Sequence, residues 1–277
     1  MDIKGTVIII GGSENRGTTN TGDFKNGSIL SRVIAESKHK AGSRVEIIAA
    51  ASGIPEELGA SYMAAFRSLG AENLGMLSIK NRDSASDTFV LERLMAADTV
   101  FFTGGDQLRL KTLLFGSPFL AILNEKLQDK HFVYAGTSAG AAAVSDVMIT
   151  AGSGQTVIRK GAVTTEQGFG LVGNITVDTH FMKRGRIGRL FEIIASNPTV
   201  LGIGLAEDTG FVITGGTHME CIGEGTAIIV DGHSMRATNV ANIETGSPIS
   251  IDNLRVHVLR KRDIYYAHTR TLLIAES

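Results

Sequence analysis

A serine surrounded by small residues is the position in this chain with the clearest potential for chemistry. Ser138 is the centre of the sequence Gly-Thr-Ser-Ala-Gly at 136–140, which follows the apolar run 132–135 and precedes an alanine-rich segment. A strand, a tight turn and a helix in this order aim the central side chain out of a sheet, and the strained turn accepts only small neighbours. The helix N-terminus next to it favours developing negative charge. The pattern predicts that Ser138 is a nucleophile.

A serine nucleophile needs a base, and the base needs a third group that orients it. Among seven histidines, His180 is the candidate because it ends the predicted core strand 174–180, and sites in parallel sheets lie beyond the carboxyl ends of strands. Glu207 and Asp208 follow the apolar run 201–206. An acid at the end of a buried strand is unfavourable without a partner, so either of these two is a candidate for the third group.

Acyl transfer also needs N–H groups that stabilise an oxyanion. The backbone N–H of Ala139 is one candidate. Gly105 in the turn Gly-Gly-Asp-Gln at 104–107 is a second, because glycine allows close backbone approach. Gln107 would then reach the substrate.

Three arginines follow His180 closely, at Arg184, Arg186 and Arg189. Arg186 and Arg189 have the spacing that places side chains on one helix face. Guanidinium groups bind carboxylates through two parallel hydrogen bonds, so the cluster predicts an acidic substrate.

The elements that position these residues alternate in the first half of the chain. Short apolar runs at 6–10, 44–50, 74–79, 99–103 and 132–135 are separated by helical segments at 29–38, 55–69, 86–97 and 119–127. Strands that are apolar throughout and alternate with helices predict a parallel sheet covered on both faces. Glycine-rich turns at 11–12, 104–105 and 136 follow three of these strands, and we expect them to lie close together.

The second half is richer in short strands. Runs at 174–180 and 201–206 are typical of core strands, whereas 210–214, 218–222, 226–230, 254–259 and 264–268 indicate antiparallel pairing. No linker, repeat or low-complexity tract divides the sequence, so we expect a single domain over residues 1–277 with a β-rich C-terminal portion.

Composition excludes several classes of protein. The 277 residues are 43% hydrophobic and 20% charged, with a formal net charge of −1, which argues against nucleic acid or a membrane surface as a partner. Cys221 is the one cysteine, and no Cys/His grouping has zinc spacing, so neither disulfide, metal nor cofactor is expected. No apolar run approaches the length of a membrane span. These features predict a soluble, cytoplasmic protein.

Taken in order, these motifs resemble those of the cyanophycinases, in the peptidase family that also contains the aspartyl dipeptidases. The resemblance covers nearly the whole chain. It is carried by the segments 11–12, 104–107, 136–141, 178–181 with the three arginines, and 202–209.

The resemblance implies a Ser138–His180–Glu207 triad in a serine-type exopeptidase. It implies a flavodoxin-like, three-layer α/β fold related to the class I glutamine amidotransferases, with a mainly parallel central sheet, usually in a homodimer. It also implies hydrolysis of cyanophycin, a polyaspartate with arginine on its β-carboxyls, to β-aspartyl-arginine dipeptides. Thr179 stands where well-known members carry glutamine. The residues expected to line the substrate cleft are Gln107, Asp178, Thr179, Arg184, Arg186 and Arg189.

Two other functions fit the same motifs. The substrate would instead be short aspartyl or isoaspartyl peptides, with the chemistry unchanged. Alternatively, the chain would be a non-catalytic binding protein on the same fold, although its glycine-rich loop 11–17 lacks the lysine and spacing of a phosphate-binding loop.

Overall fold

The computed structural model describes residues 3–17, 24–152 and 157–276. Within these ranges the strands are β1 (Thr6–Ile10), β2 (Arg44–Ile48), β3 (Asn73–Met76), β4 (Thr99–Phe102), β5 (Val133–Thr137), β6 (Val147–Ala151), β7 (Thr164–Gln167), β8 (Ile175–Asp178), β9 (Leu201–Leu205), β10 (Thr209–Thr214), β11 (His218–Gly223), β12 (Ala227–Asp231), β13 (Ala237–Thr238), β14 (Ile251–Asp252), β15 (Arg255–Leu259), β16 (Ile264–Tyr266) and β17 (Thr271–Leu273). The α-helices are α1 (Phe24–Gly27), α2 (Ile29–Glu36), α3 (Pro55–Ser68), α4 (Thr88–Ala96), α5 (Gln107–Leu114), α6 (Pro118–Lys126), α7 (Ala139–Ala142) and α8 (Ile187–Ser196).

The central sheet has nine strands in the order β17-β16-β11-β10-β1-β5-β4-β2-β3. The five strands from β1 to β3 are parallel, which confirms the mainly parallel sheet predicted from alternating apolar runs and helices. Every residue of β1, β4 and β5 is buried, as expected for strands that are covered on both faces. The four remaining strands extend this sheet by antiparallel pairing.

A second sheet of four strands, in the order β15-β12-β9-β8, lies apart from the central one. Strands β8 and β9 are parallel, and both are fully buried. The apolar sequences of β8 and β9 predicted core strands, but they did not show that these strands belong to a second sheet. One hydrophobic cluster contains Val177 and Ile203 from this sheet and Val7 and Phe102 from the central sheet. The two sheets therefore share a core, where burying each large aliphatic or aromatic side chain contributes about 1.5–3 kcal/mol.

Several local features differ from the sequence-based expectations. Helix α4 begins at Thr88 rather than at 86, because the Asp87 carboxylate caps it by accepting the Val90 N–H. Helix α5 and the β6–β7 hairpin had no predicted counterpart. No helix in the described ranges is long and apolar enough to cross a membrane.

Candidate active site

Ser138 lies at the apex of the turn that joins β5 to α7. Its backbone has φ 51° and ψ −108°, a conformation that is rare for residues other than glycine. The Ser138 N–H donates to the carbonyl of Ile10 at the end of β1, over an N–O distance of 2.9 Å. Strain of this kind persists only where surrounding structure holds it, and it concentrates at functional sites. The strand-turn-helix context predicted from sequence is thus present.

His180 brings an imidazole to the serine from the second sheet. It lies just after β8 with φ 50°, and its N–H donates to the Gly11 carbonyl. Its Nε2 lies 3.2 Å from Ser138 Oγ, and its Nδ1 lies 2.9 Å from Glu207 Oε1. Glu207 follows β9, the strand parallel to β8. The structure therefore brings the three predicted residues into one hydrogen-bonded line, with the geometry that a nucleophile, a base and an orienting acid require.

Of the two candidate acids, only Glu207 contacts the imidazole in the described part of the chain. Its carboxylate is 28% exposed and also accepts hydrogen bonds from Lys183 Nζ at 3.2 and 3.3 Å. Hydrogen bonds from His180 first, and then from Lys183 and Ser13, lower the pKa of Glu207. Burial raises the pKa of Asp208, whose Oδ1 accepts the Asn15 N–H instead.

A pocket of about 340 Å³ opens beside the serine and the histidine. The lining combines glycine backbone, two arginines, one carboxylate and one tyrosine. The residues that line it are Gly12, Ser13, Glu14, Arg16, Leu58, Tyr62, Gly104, Gly105, Thr137, Ser138, His180 and Arg184. Two of the three glycine turns, at 11–12 and 104–105, thus meet at the serine turn, as expected from their position after parallel strands.

Comparison with known proteins places this chain in a family. The model of Peptidase family S51 matches residues 7–222. This chain is a member of peptidase family S51. The cyanophycinase of Trichormus variabilis is 34% identical over 272 residues, covering 98% of this chain and 89% of its own. The cyanophycinase of Geminocystis herdmanii is 33% identical over 270 residues, covering 96% and 95% of the two chains.

Solved structures share the fold of this S51 peptidase at low sequence identity. A peptidase from an acI-B1 Actinobacterium has a TM-score of 0.63 and 22% identity, over 84% of this chain and 93% of that one. A putative Peptidase E protein from Listeria monocytogenes has a TM-score of 0.51 and 16% identity, over 80% and 99%.

The arginines predicted to bind substrate lie in two different environments in the S51 chain. Arg184 is exposed and lines the pocket. Arg189 is 5% exposed and lies 3.1 Å from the carboxylate of Asp178, itself 2% exposed. Arg186 Nη1 lies 3.3 Å from the same carboxylate and donates to the Thr179 carbonyl at 2.7 Å. Asp178, Thr179, Arg186 and Arg189 are therefore absent from the pocket lining, and their contact with substrate stays a prediction.

Asp178, Arg186 and Arg189 form a cluster of charges in which burial and charge attraction act on the pKa values in opposite directions. Burial raises the pKa of Asp178 and lowers the pKa values of Arg186 and Arg189, while the attraction between the charges opposes each shift. Helix α8 begins at Ile187, so Arg186 occupies its N-cap position rather than a position within the helix. The two arginines nevertheless project to one side, since both reach the carboxylate of Asp178.

The other predicted contacts are placed as follows. Gly105 lines the pocket, and its φ of 144° with a Cβ position only 2.1 Å from the Ala51 carbonyl oxygen requires glycine. Ala139 is the first residue of α7, where a backbone N–H has no partner within the helix. Gln107 is the first residue of α5, and its side chain donates to the Ile149 carbonyl at 2.9 Å, outside the pocket lining. The oxyanion-hole and substrate roles of these residues stay predictions.

Sequence reasoning missed a buried carboxylate next to the nucleophile. Glu14 is 4% exposed; its Oε1 accepts from Tyr62 Oη at 2.5 Å, and its Oε2 accepts from Thr137 Oγ1 at 2.7 Å. Burial and the charge of Glu14 raise the pKa of Tyr62. The loop 11–17 resembles a phosphate-binding motif only weakly, and neither periodicity nor residue spacing distinguishes Glu14 within it. Among the described residues no group of histidine, cysteine and acidic side chains is arranged to hold a metal ion.

Replacing Gly12 with alanine should disable the base. A Cβ there would lie 2.5 Å from His180 Cε1 and 2.6 Å from Nε2, and φ at Gly12 is 99°. The imidazole must move away from Ser138, and misplacing a catalytic group by about 1 Å costs roughly 10²-fold in rate. We expect kcat of Gly12→Ala to fall at least that far. The matched control is Gly53→Ala, where a Cβ meets nothing within 4 Å. Wild-type kcat in Gly12→Ala would contradict the assignment of His180.

Proposed function

We propose that this chain is a serine peptidase that hydrolyses cyanophycin and releases β-aspartyl-arginine dipeptides. The observation that carries the proposal is the hydrogen-bonded line from Ser138 through His180 to Glu207, at the wall of an open pocket. It stands in a chain that matches cyanophycinases over 96–98% of its length. Carboxylates of the polymer suit the guanidinium of Arg184 in that pocket.

The geometry supports a two-step acyl transfer. Ser138 Oγ attacks the scissile carbonyl carbon while His180 Nε2 takes the hydroxyl proton, and Glu207 stabilises the imidazolium that forms. The resulting oxyanion would accept hydrogen bonds from the Gly105 and Ala139 N–H groups. Collapse of the tetrahedral intermediate breaks the C–N bond, and His180 gives its proton to the departing amine. Water, deprotonated by His180, then hydrolyses the ester on Ser138 and restores the hydroxyl.

The substrate is tested by assaying the wild-type protein on cyanophycin with mass detection of products. We expect β-aspartyl-arginine as the accumulating product, at a rate per scissile bond higher than on free aspartyl or isoaspartyl dipeptides. Turnover of the short peptides with an intact polymer would reverse the assignment in favour of a dipeptidase. If the polymer and the dipeptides both stay intact, the cyanophycinase and the dipeptidase assignments both fail. That result would favour a non-catalytic binding protein.

Finer features of the fold and its setting belong to the same proposal. The parallel strands β1 to β5, with helices on the sheet, support a flavodoxin-like arrangement related to the class I glutamine amidotransferases. The core shared by the two sheets supports a single domain. The homodimer and the cytoplasmic location rest on the family resemblance and on the composition.

A further inference from the structure

A guanidinium that no sequence motif indicated lies on the wall of the pocket. Arg16 belongs to the loop that follows β1, and it lines the pocket together with Ser138, His180 and Arg184. The two arginines come from separate elements, since Arg184 belongs to the turn between β8 and α8. Arg16 is half-buried, unlike an arginine on a solvated helix face.

Helix α3 holds the Arg16 side chain in place. The guanidinium carbon of Arg16 lies 5.2 Å from the centre of the Tyr62 ring in this helix, and Arg16 Nη1 donates to Ser61 Oγ at 3.1 Å. Tyr62 is itself fixed, because its hydroxyl donates to the buried Glu14 carboxylate, which also accepts from Thr137 next to the nucleophile. A planar guanidinium held over an aromatic ring and hydrogen-bonded at one nitrogen is preorganised, so less freedom is lost when it binds an anion.

The charges around the pocket leave this guanidinium available. Among the described residues, neither Arg16 nor Arg184 has a carboxylate within ion-pair distance. The one carboxylate in the lining, Glu14, already accepts a hydroxyl at each oxygen. Arg186 and Arg189, by contrast, have their counter-charge in Asp178. The pocket thus offers two guanidinium groups to an anion, and one of them lies outside the cluster that the sequence indicated.

We propose that Arg16 binds a free carboxylate of the substrate beside Ser138 and, with Arg184, selects peptides rich in carboxylates. The inference rests on the proposed function for the identity of the peptide. It assigns to Arg16 a specificity role that the sequence pattern gave to Arg186 and Arg189. The proton-transfer chemistry stays with Ser138 and His180.

The test measures binding in the Ser138→Ala background, so that no turnover interferes. Calorimetric titration with β-aspartyl-arginine compares Ser138→Ala with the double variant Ser138→Ala/Arg16→Gln. A hydrogen-bonded ion pair to a substrate carboxylate corresponds to roughly 10- to 100-fold in affinity, and we expect the double variant to bind that much more weakly. Arg16→Lys in the same background should fall between them, because it keeps the charge and loses the planar donors.

Two controls separate recognition of a carboxylate from a general defect. The dipeptide with both carboxyl groups converted to amides should bind the two proteins with the same affinity, whereas a distorted pocket would weaken both ligands. Arg236→Gln removes a guanidinium that is 72% exposed, pairs with Asp252 and is absent from the lining. It should bind the dipeptide as the Ser138→Ala protein does.

Equal affinity of the two proteins for the dipeptide, including no binding to either, overturns the role of Arg16. Equal losses for the dipeptide and its amide overturn it as well. A separate result decides the proposed function. If the dipeptide binds through Arg16 and the wild-type protein leaves cyanophycin intact, polymer hydrolysis fails and the role of Arg16 stands.

Discussion

Ser138→Ala is expected to lower kcat on cyanophycin by at least about 10⁴-fold, to a residual rate that binding and oxyanion stabilisation alone support. In the proposed mechanism the hydroxyl oxygen is the attacking atom, and His180 Nε2 lies 3.2 Å from it. The fold is expected to persist, because the hydroxyl contacts the imidazole and alanine changes no backbone group. Product release from the polymer, followed by mass detection, measures the effect.

The matched control for this variant is Ser250→Ala, which removes an exposed hydroxyl and should keep wild-type kcat. A serine-directed phosphonylating reagent provides a second readout, because it should label the wild-type protein at Ser138 and fail to label Ser138→Ala. Retention of more than a few per cent of wild-type kcat in Ser138→Ala would refute the nucleophile.

Glu207→Gln should give the next largest loss, about 10²- to 10⁴-fold in kcat. The carboxylate accepts a hydrogen bond from His180 Nδ1, which leaves Nε2 free to take the proton of Ser138. A glutamine amide can donate to Nδ1 instead, which favours the tautomer with its proton on Nε2, and that tautomer cannot act as the base. The measurement is kcat on the polymer, with Glu224→Gln as the control for loss of an exposed acid.

Lys183 provides a second control, because Glu207→Gln also alters its contact with that carboxylate. Lys183 is 70% exposed, and ion pairs of this kind contribute little stability, so Lys183→Met should change kcat by less than about threefold.

Because the pKa of Glu207 is lowered, its carboxylate stays ionised below the ordinary pH range in which glutamate titrates. The ionised carboxylate therefore stabilises the folded site at pH values above the ordinary range of glutamate. This stabilisation is lost as pH falls through the lowered pKa of Glu207. A wild-type rate in Glu207→Gln would exclude it as the orienting acid.

The nucleophile turn could be predicted because its signal is local. A buried strand, small residues and a helix start lie within about a dozen positions around Ser138, and no distant contact is needed to identify them. His180 and Glu207 were found by a weaker rule, that sites follow the carboxyl ends of buried strands. That rule holds in either sheet, so it located both residues even though β8 and β9 lie outside the central sheet.

The residues proposed to bind substrate are harder to identify from sequence, because the surroundings of a charged side chain depend on tertiary burial. Nothing in the spacing of Arg186 and Arg189 shows that both pair with Asp178 inside the protein. Arg16 lies in a loop without periodicity, and its position depends on Tyr62, 46 positions away in the sequence. A sequence gives the identity of a charged side chain, but its partner follows only from the packing of several elements.

The residues of the proposed triad follow strands of two different sheets, so the proposed catalysis depends on how those sheets pack against each other. Ser138 follows β5 of the central sheet, whereas His180 and Glu207 follow β8 and β9, neighbouring parallel strands of the second sheet. A separation of the two sheets would therefore lengthen the distance from Ser138 Oγ to His180 Nε2. Turnover would then be lost while most of the secondary structure persists. The turnover rate of the protein would thus report on the packing between the two sheets.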